Sequence, residues 1–367
     1  MKSKKIKIKE YIIHKKQLIK KVFLAIIIIL NFMILLVKFK KKPIKIGVIG
    51  LKHSQNIGNN LLKYAIFIKL SELGYEPTII GMKVFNQNIS FIQNSIRIRT
   101  LNQSFTEIKQ DDYDILMVNS DQTWRRWDEF FYDIAFLKFA KNWNNTKFVY
   151  GASLGVENWN YSQNDEKLAK YLIKDFRGIS VREIGSIKSI EKHLGFRPKL
   201  VLDPTLLIDK KYYLNLIKGY KTDFIFDKKT IFVYTVTNSS ILKNYLNKIK
   251  EKYNYKIYLI DINSKNHIIK FIYGIYNCHG VITDSFHGAL FSIIFGKPFV
   301  SFVYAIYGNE RFNTLKEIFG VKNRIFTYNS NPDIKLLETP LKINRIILYF
   351  LKRQSIHYLK KNLVVYK

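Results

Sequence analysis

Residues 283–288 read Thr-Asp-Ser-Phe-His-Gly and follow a short apolar run. An Asp, a Ser and a His therefore meet where a buried strand hands over to a helix. A histidine at a helix N-terminus feels the positive end of the dipole, which lowers its pKa and favours an anion nearby. His287 is thus a candidate to move a proton or to hold a phosphate. Asp284 and Ser285 supply an acceptor and a hydroxyl, and Gly288 allows close backbone approach. A Ser285–His287 nucleophile pair is not expected, because this spacing brings no third group to orient the imidazole.

Three other strand ends carry residues able to do chemistry. Asn56-Ile57-Gly58-Asn59 precedes a helix, so its N–H groups suit an anion or polar ligand; the plainer reading is a tight turn capped by Asn59. Ser120-Asp121-Gln122 with Trp124 offers a carboxylate to hold or deprotonate a hydroxyl and an indole for a sugar face. The same Asp121 would also serve as a simple helix cap. Arg182, directly after a strand, can clamp a carboxylate or phosphate bidentately, or pair with Glu183 at the surface. Asp203-Pro204 reads mainly as a strand terminus. No His/Cys/Asp/Glu set has metal-ligand spacing, so neither a metal nor another cofactor is expected.

These residues need a scaffold. From residue 44 apolar runs of strand length alternate with helical spacings: strands near 44–49, 77–81, 113–118, 147–150, 178–181 and 199–202, with a helix at 60–73 ending at Gly74. Buried parallel strands joined by helices imply a doubly wound sheet whose carboxyl edge binds ligands. A second such set runs through strands at 230–236, 256–260, 280–283 and 298–303, with helices at 240–253, 267–277 and 289–295. The expected organisation is a basic apolar extension at 1–43, a Rossmann-like domain at 44–210, a second at 211–335, and a basic terminal helix at 336–367. The connection falls near 205–229.

The formal charge of +33 suggests nucleic acid, yet 50 of the 61 basic residues are Lys and only 11 are Arg. Lys is a solvated point charge, unlike the bidentate Arg of base readout, and no nucleic-acid motif is present. Anionic lipid or an acidic small substrate is the better partner. A lone Cys278 makes no internal disulfide and reads as a buried small residue. Val22 to Val37 is apolar apart from Asn31 and bracketed by lysines. It is slightly short for a span, but flanking Lys stems can snorkel, so a single membrane anchor is expected, with peripheral association as the alternative.

Several segments, in order, resemble the polysaccharide pyruvyl transferase family: NIGNNLLKYA (56–65), NSDQTW (119–124), YGASLG (150–155), SVRE (180–183), LDPTLL (202–207) and TDSFHGALFSIIFGKPF (283–299), then NERFNTLKEIFG (309–320) and RQSIHYLKKNL (353–363). The resemblance covers about 44–363. It implies two Rossmann-like domains in a glycosyltransferase-B-like arrangement and transfer of a pyruvyl unit from phosphoenolpyruvate, a co-substrate, to a sugar hydroxyl of a cell-surface glycan or lipid-linked glycan. Because phosphoenolpyruvate is cytosolic, it also implies work at the cytoplasmic side of the membrane. Arg182 matches a family arginine expected to bind the donor. His287 matches the histidine expected to assist phosphate departure or proton transfer. Ser285 departs from the pattern, standing where family motifs often carry Arg; Arg311 or Lys297 could supply the missing charge. That departure leaves open a transferase using another donor, such as a nucleotide sugar. A non-catalytic membrane-bound glycan binder is the third reading.

Overall fold

The computed structural model describes residues 19–29, 42–52, 56–82, 94–126, 130–155, 159–237, 239–261, 264–303 and 309–365. Two compact units divide the chain, Met1–Pro43 and Ile44–Lys367. In the first, residues 19–29 are helical. The remainder of the apolar run, 30–37, lies outside the described residues, and no described helix is long and apolar enough to cross a membrane. The expected transmembrane anchor therefore finds no support among the described residues.

The second unit contains two parallel sheets. Strands β1 (Lys45–Ile49), β2 (Glu76–Met82), β3 (Ile98–Leu101), β4 (Ile115–Val118), β5 (Thr146–Ala152), β6 (Phe176–Val181) and β7 (Lys199–Leu200) form the first, in the order β3-β2-β1-β4-β5-β6-β7. Strands β8 (Thr230–Tyr234), β9 (Lys256–Leu259), β10 (Gly280–Thr283), β11 (Phe299–Val303) and β12 (Ile325–Thr327) form the second, ordered β12-β11-β10-β8-β9. Central strands are buried on both faces, as with Val48 and Ile49 or Leu116 and Met117 in the first sheet and Ile231 and Phe232 or Val281 and Ile282 in the second. That burial is why they read as unbroken apolar runs. The winding reverses between β1 and β4 and again between β8 and β10. Such switch points open a crevice at the carboxyl ends of the strands.

Two strands were not expected from the sequence, β3 and β12. Both are short edge strands, and β3 is mostly half-buried and carries Arg99, so neither shows a continuous apolar run. Helix α1 (Ile57–Glu72) starts earlier than expected because Asn56, rather than Asn59, is its cap: the Asn56 side chain accepts the Asn59 N–H at 2.9 Å. The later helices are α2 (Phe131–Phe136), α3 (Gln163–Leu172), α4 (Ile184–Leu194), α5 (Lys210–Leu216), α6 (Ser240–Tyr253), α7 (His267–Asn277), α8 (Phe286–Phe295), α9 (Asn309–Phe319) and α10 (Arg345–Asn362). The expected connection at 205–229 is partly helical. Its Tyr213 is fully buried, with ring contacts to Tyr64 of α1 at 6.2 Å and to Phe291 of α8 at 4.9 Å.

The last helix returns to the first sheet. Tyr358 donates to the Val149 carbonyl at 2.8 Å and packs its ring against Phe148 and Tyr150. Ser355 Oγ accepts the Leu202 N–H at 2.9 Å, and Asn362 lies so close to Gly178 that a Cβ there would collide with it. Replacing Tyr358 by Ala removes a buried ring and a hydrogen bond together. We expect a loss of about 3–5 kcal/mol in urea unfolding. A loss below about 1 kcal/mol would show that α10 is an appendage.

Candidate active site

At the carboxyl edge of the first sheet a buried guanidinium gathers three carboxylates. Arg182, just beyond β6, places one terminal nitrogen 2.6 Å from Asp203 and the other 3.2 Å from Asp121, with Nε 3.6 Å from Glu183. Burial opposes the Arg182 charge, but Asp203, Asp121 and Glu183 outweigh it and raise its pKa. Burial likewise pushes both aspartyl pKa values up, and is overcome: His287, Arg182 and Thr205 hold Asp203 well below the usual carboxylate range, and Arg182, His287 and Asn59 lower Asp121. Glu183 is tied down separately by Ser153 and Ser186. Arg182, expected to clamp a donor or else to pair with Glu183 at the surface, instead holds a buried network and does not line the cleft.

The second sheet contributes His287, in the first turn of α8. Its Nε2 lies 3.7 Å from Asp203, an ion-pair distance longer than a hydrogen bond, and has no hydrogen-bond partner among the described residues. The other edge of the ring lies over Gly58 in α1, where any Cβ would collide with Nδ1. Gly58 therefore works by having no side chain, which lets the two halves of the unit approach. Asn59 beside it donates to Asp121 at 2.9 Å. Asp121 itself has φ of 97°, a left-handed conformation costly for a non-glycine residue, and is held there by the Gln122 and Ser153 N–H groups on its side-chain and main-chain oxygens.

These groups border a cleft of about 680 Å³. Asn56, Asn59, Asp121, Gln122, Asp284, Ser285, His287 and Arg311 all line it, as expected. Other expected site residues do not. Trp124 is fully buried, its Nε1 donating to Ala135 and its ring against Phe136, so it offers no sugar face. Ser120 donates to the Gly151 carbonyl beneath the sheet edge. Gly288 serves a local contact, since a Cβ would strike Thr283 Oγ1. Lys297 donates to the Cys278 carbonyl and cannot replace the arginine absent at 285.

Two lining residues have structural duties. Asp284 accepts from the Val236 and Thr237 N–H groups at 2.6 and 3.0 Å and from Tyr328 at 2.8 Å, fixing the loop after β8. Ser285 caps α8 through the Gly288 N–H, which is why the helix begins at Phe286 instead of Ala289.

Arg311 differs from Arg182 in kind. Nε of both is buried without a hydrogen bond among the described residues, but Arg311 has no ion pair there, and burial plus the neighbouring Arg182 lower its pKa. Its guanidinium lies 5.6 Å from the Phe286 ring centre, and Arg182 lies 5.2 Å from the same centre. Lys52 and Arg125 add positive charge to the lining. Sequence reading overlooked these two and also Lys63, a fully buried lysine of α1 that donates to the Leu51 carbonyl at 3.0 Å and so braces the strand end bordering the cleft. Its signal was a lone cation inside the apolar stretch Leu61-Leu62-Lys63-Tyr64-Ala65. Altogether the site can bind a small multiply charged anion at Arg311 and move a proton at His287.

The sequence profile of a family described as polysaccharide pyruvyl transferase matches residues 56–305. Among solved structures, the UDP-GlcNAc 2-epimerase of Methanocaldococcus jannaschii is similar with a TM-score of 0.57 and 12% identity, over 86% of this chain and 99% of that one. The UDP-GlcNAc 2-epimerase of Neisseria meningitidis bound to UDP-GlcNAc gives a TM-score of 0.52 and 11% identity, over 86% of this chain and 100% of that one. At these identities the likeness is one of fold, an α/β architecture of parallel sheets. No curated protein sequence matches the chain significantly.

Removing Arg182 strands buried carboxylates, so Arg182→Met should lose about 3–5 kcal/mol at neutral pH in urea unfolding. The depressed folded pKa values of Asp203 and Asp121 stabilise above the unfolded value of 3.8 and cease to do so as pH falls through the folded values. The gap between variant and wild type should therefore narrow under acid; a gap constant with pH would contradict the assignment. Lys63 has the opposite sign. Burial pulls its amine down to about 7 from 10.5, against the pull of Asp121. Its penalty is complete below about 7 and is relieved between there and 10.5, where only the unfolded chain keeps the proton. Wild type should thus gain stability relative to Lys63→Met as pH rises from 7 to 10, measured by denaturant titration at each pH. Parallel curves would show that Lys63 stays charged.

Proposed function

We propose that this chain, which belongs to the polysaccharide pyruvyl transferase family, is a transferase moving the enolpyruvyl unit of phosphoenolpyruvate to a sugar diol of a glycan, leaving a pyruvate ketal. The observation that carries the reading is Arg311, a guanidinium with no ion pair among the described residues, lining the same cleft as an imidazole whose Nε2 has no hydrogen-bond partner among them. A trianionic donor supplies the missing negative charge, and charge-assisted bonds to guanidinium are the strong ones.

The chemistry follows from the donor. C3 of phosphoenolpyruvate accepts a proton from the imidazolium of His287, which makes C2 electrophilic. One acceptor hydroxyl adds at C2 and returns its proton to the imidazole. A second hydroxyl then displaces phosphate, which carries away the remaining proton. Of the two O–H protons lost, one ends on C3 and one on phosphate. Asp203 stays at ion-pair distance from the imidazole as it cycles. Arg182, spent on those carboxylates, positions them without touching the donor. With phosphoenolpyruvate as donor, the cleft works on the cytoplasmic side of the membrane.

A nucleotide-sugar donor is the second reading, favoured by Ser285, whose hydroxyl caps α8 where family motifs often carry an arginine. Calorimetry separates them. Phosphoenolpyruvate should bind wild type, and Arg311→Met should weaken that binding by about tenfold or more. His287→Asn should retain donor binding while phosphate release with a glycan acceptor falls by at least about 100-fold. Binding of UDP-sugars with none of phosphoenolpyruvate would overturn the pyruvyl reading.

A further inference from the structure

Away from the cleft, a cavity of about 930 Å³ opens between α3, α4, α10 and the β6–β7 edge of the first sheet. Its described lining contains six cations, Lys170, Lys174, Arg177, Arg197, Lys199 and Lys361, and no carboxylate. Lys170 and Arg197 are each paired with a glutamate, Glu166 and Glu191. Lys174, Lys199 and Lys361 are exposed and have no ion pair among the described residues. Between the cations the lining is apolar, with Phe176, Leu194 and Phe196. A sugar-binding groove would call for acceptors, and a simple solvated face would lack the apolar lining. This combination suits a phosphate attached to a hydrocarbon.

Helix α10 extends the same character. Gln354, His357 and Lys361 line the cavity, and Ile346 and Phe350 precede them at spacings that keep all five on one helical face. Ile346 is 70% exposed and Phe350 62%, with Tyr349 beside them at 55%, so the first two turns present large apolar side chains to solvent. That face ends in the polar Gln354 and His357 and the cation Lys361. A helix whose exposed aromatic and aliphatic groups run toward a cluster of cations, here Lys361 and the cavity lining, is the pattern of an interfacial segment, and anionic headgroups complement it.

We propose that this cavity and the adjoining face of α10 dock the protein on an anionic lipid surface, the cavity receiving a lipid phosphate while Ile346, Tyr349 and Phe350 enter the headgroup layer. The site lies within residues 44–367 and does not depend on the apolar run at 22–37. Attachment there would hold the enzyme where lipid-linked acceptors are found, and it stands or falls independently of the donor.

The test is co-sedimentation of the full chain with phosphatidylglycerol-containing vesicles and with neutral phosphatidylcholine vesicles. The variant Lys174→Glu/Lys199→Glu/Lys361→Glu should lose at least about tenfold in partition to the anionic vesicles. The control Lys243→Glu/Lys250→Glu/Lys252→Glu, on α6, changes formal charge equally and should lose far less. Both proteins keep the apolar run, so their difference reads the cavity face alone. If the triple variant misfolds by circular dichroism, Phe350→Ser and Lys361→Glu, both at exposed positions, each carry the comparison. Equal losses in cavity variant and control would make net charge the cause and overturn the proposal. So would an unchanged partition, or a dimer seen by ultracentrifugation that Phe350→Ser dissolves.

Discussion

A guanidinium removed from water is tolerable only when carboxylates replace its hydration with good geometry, and Arg182 obtains that from Asp121, Asp203 and Glu183. These residues follow β4, β7 and β6, so one cation draws together the carboxyl ends of three segments far apart in sequence. Asp121 accepts a left-handed backbone to take part. The network then presents Asp203 and Asp121 toward His287, whose own helix belongs to the other sheet. Alignment of the imidazole therefore depends on charges it does not share a strand with.

The approach of the two halves is made possible by an absence. Gly58 leaves room for the His287 ring, and Asn59, one residue later, ties α1 to Asp121. Tyr213 fills the space between α1 and α8 farther down, and α10 closes over the first sheet. The catalytic reading rests on rigidity of this kind, because a proton donor is useful only if its distance to the reacting carbon is held. Arg311 stands apart from the network, a cation left available while its neighbour is neutralised.

Much of the scaffold was legible in the chain. Ten of the strands showed as apolar runs, the central ones because strands buried on both faces cannot hide their composition, and the edge strands β7 and β9 because apolar residues adjoin them; β3 and β12, also at edges, are short and interrupted by polar residues. The strand-end motifs were recognisable as polar residues following such runs, and eight expected residues do meet at one cleft. Trp124 and Lys297 were misplaced for different reasons. A strand end says which residues are near the edge, but not which way each side chain turns, and Trp124 turns into the core; Lys297 lies between α8 and the amino end of β11, where it donates to Cys278.

Alternation of apolar runs with helical spacing was enough by itself to determine a pair of doubly wound parallel sheets and to mark His287 as the imidazole of interest, since local periodicity and capping need no partners. Tertiary structure alone decided which cations are spent and which are available. Arg182 and Arg311 are chemically identical in the sequence. Only the folded chain surrounds one with three carboxylates and leaves the other lining the cleft with no ion pair among the described residues, because a charge's role is set by neighbours that distant segments bring to it.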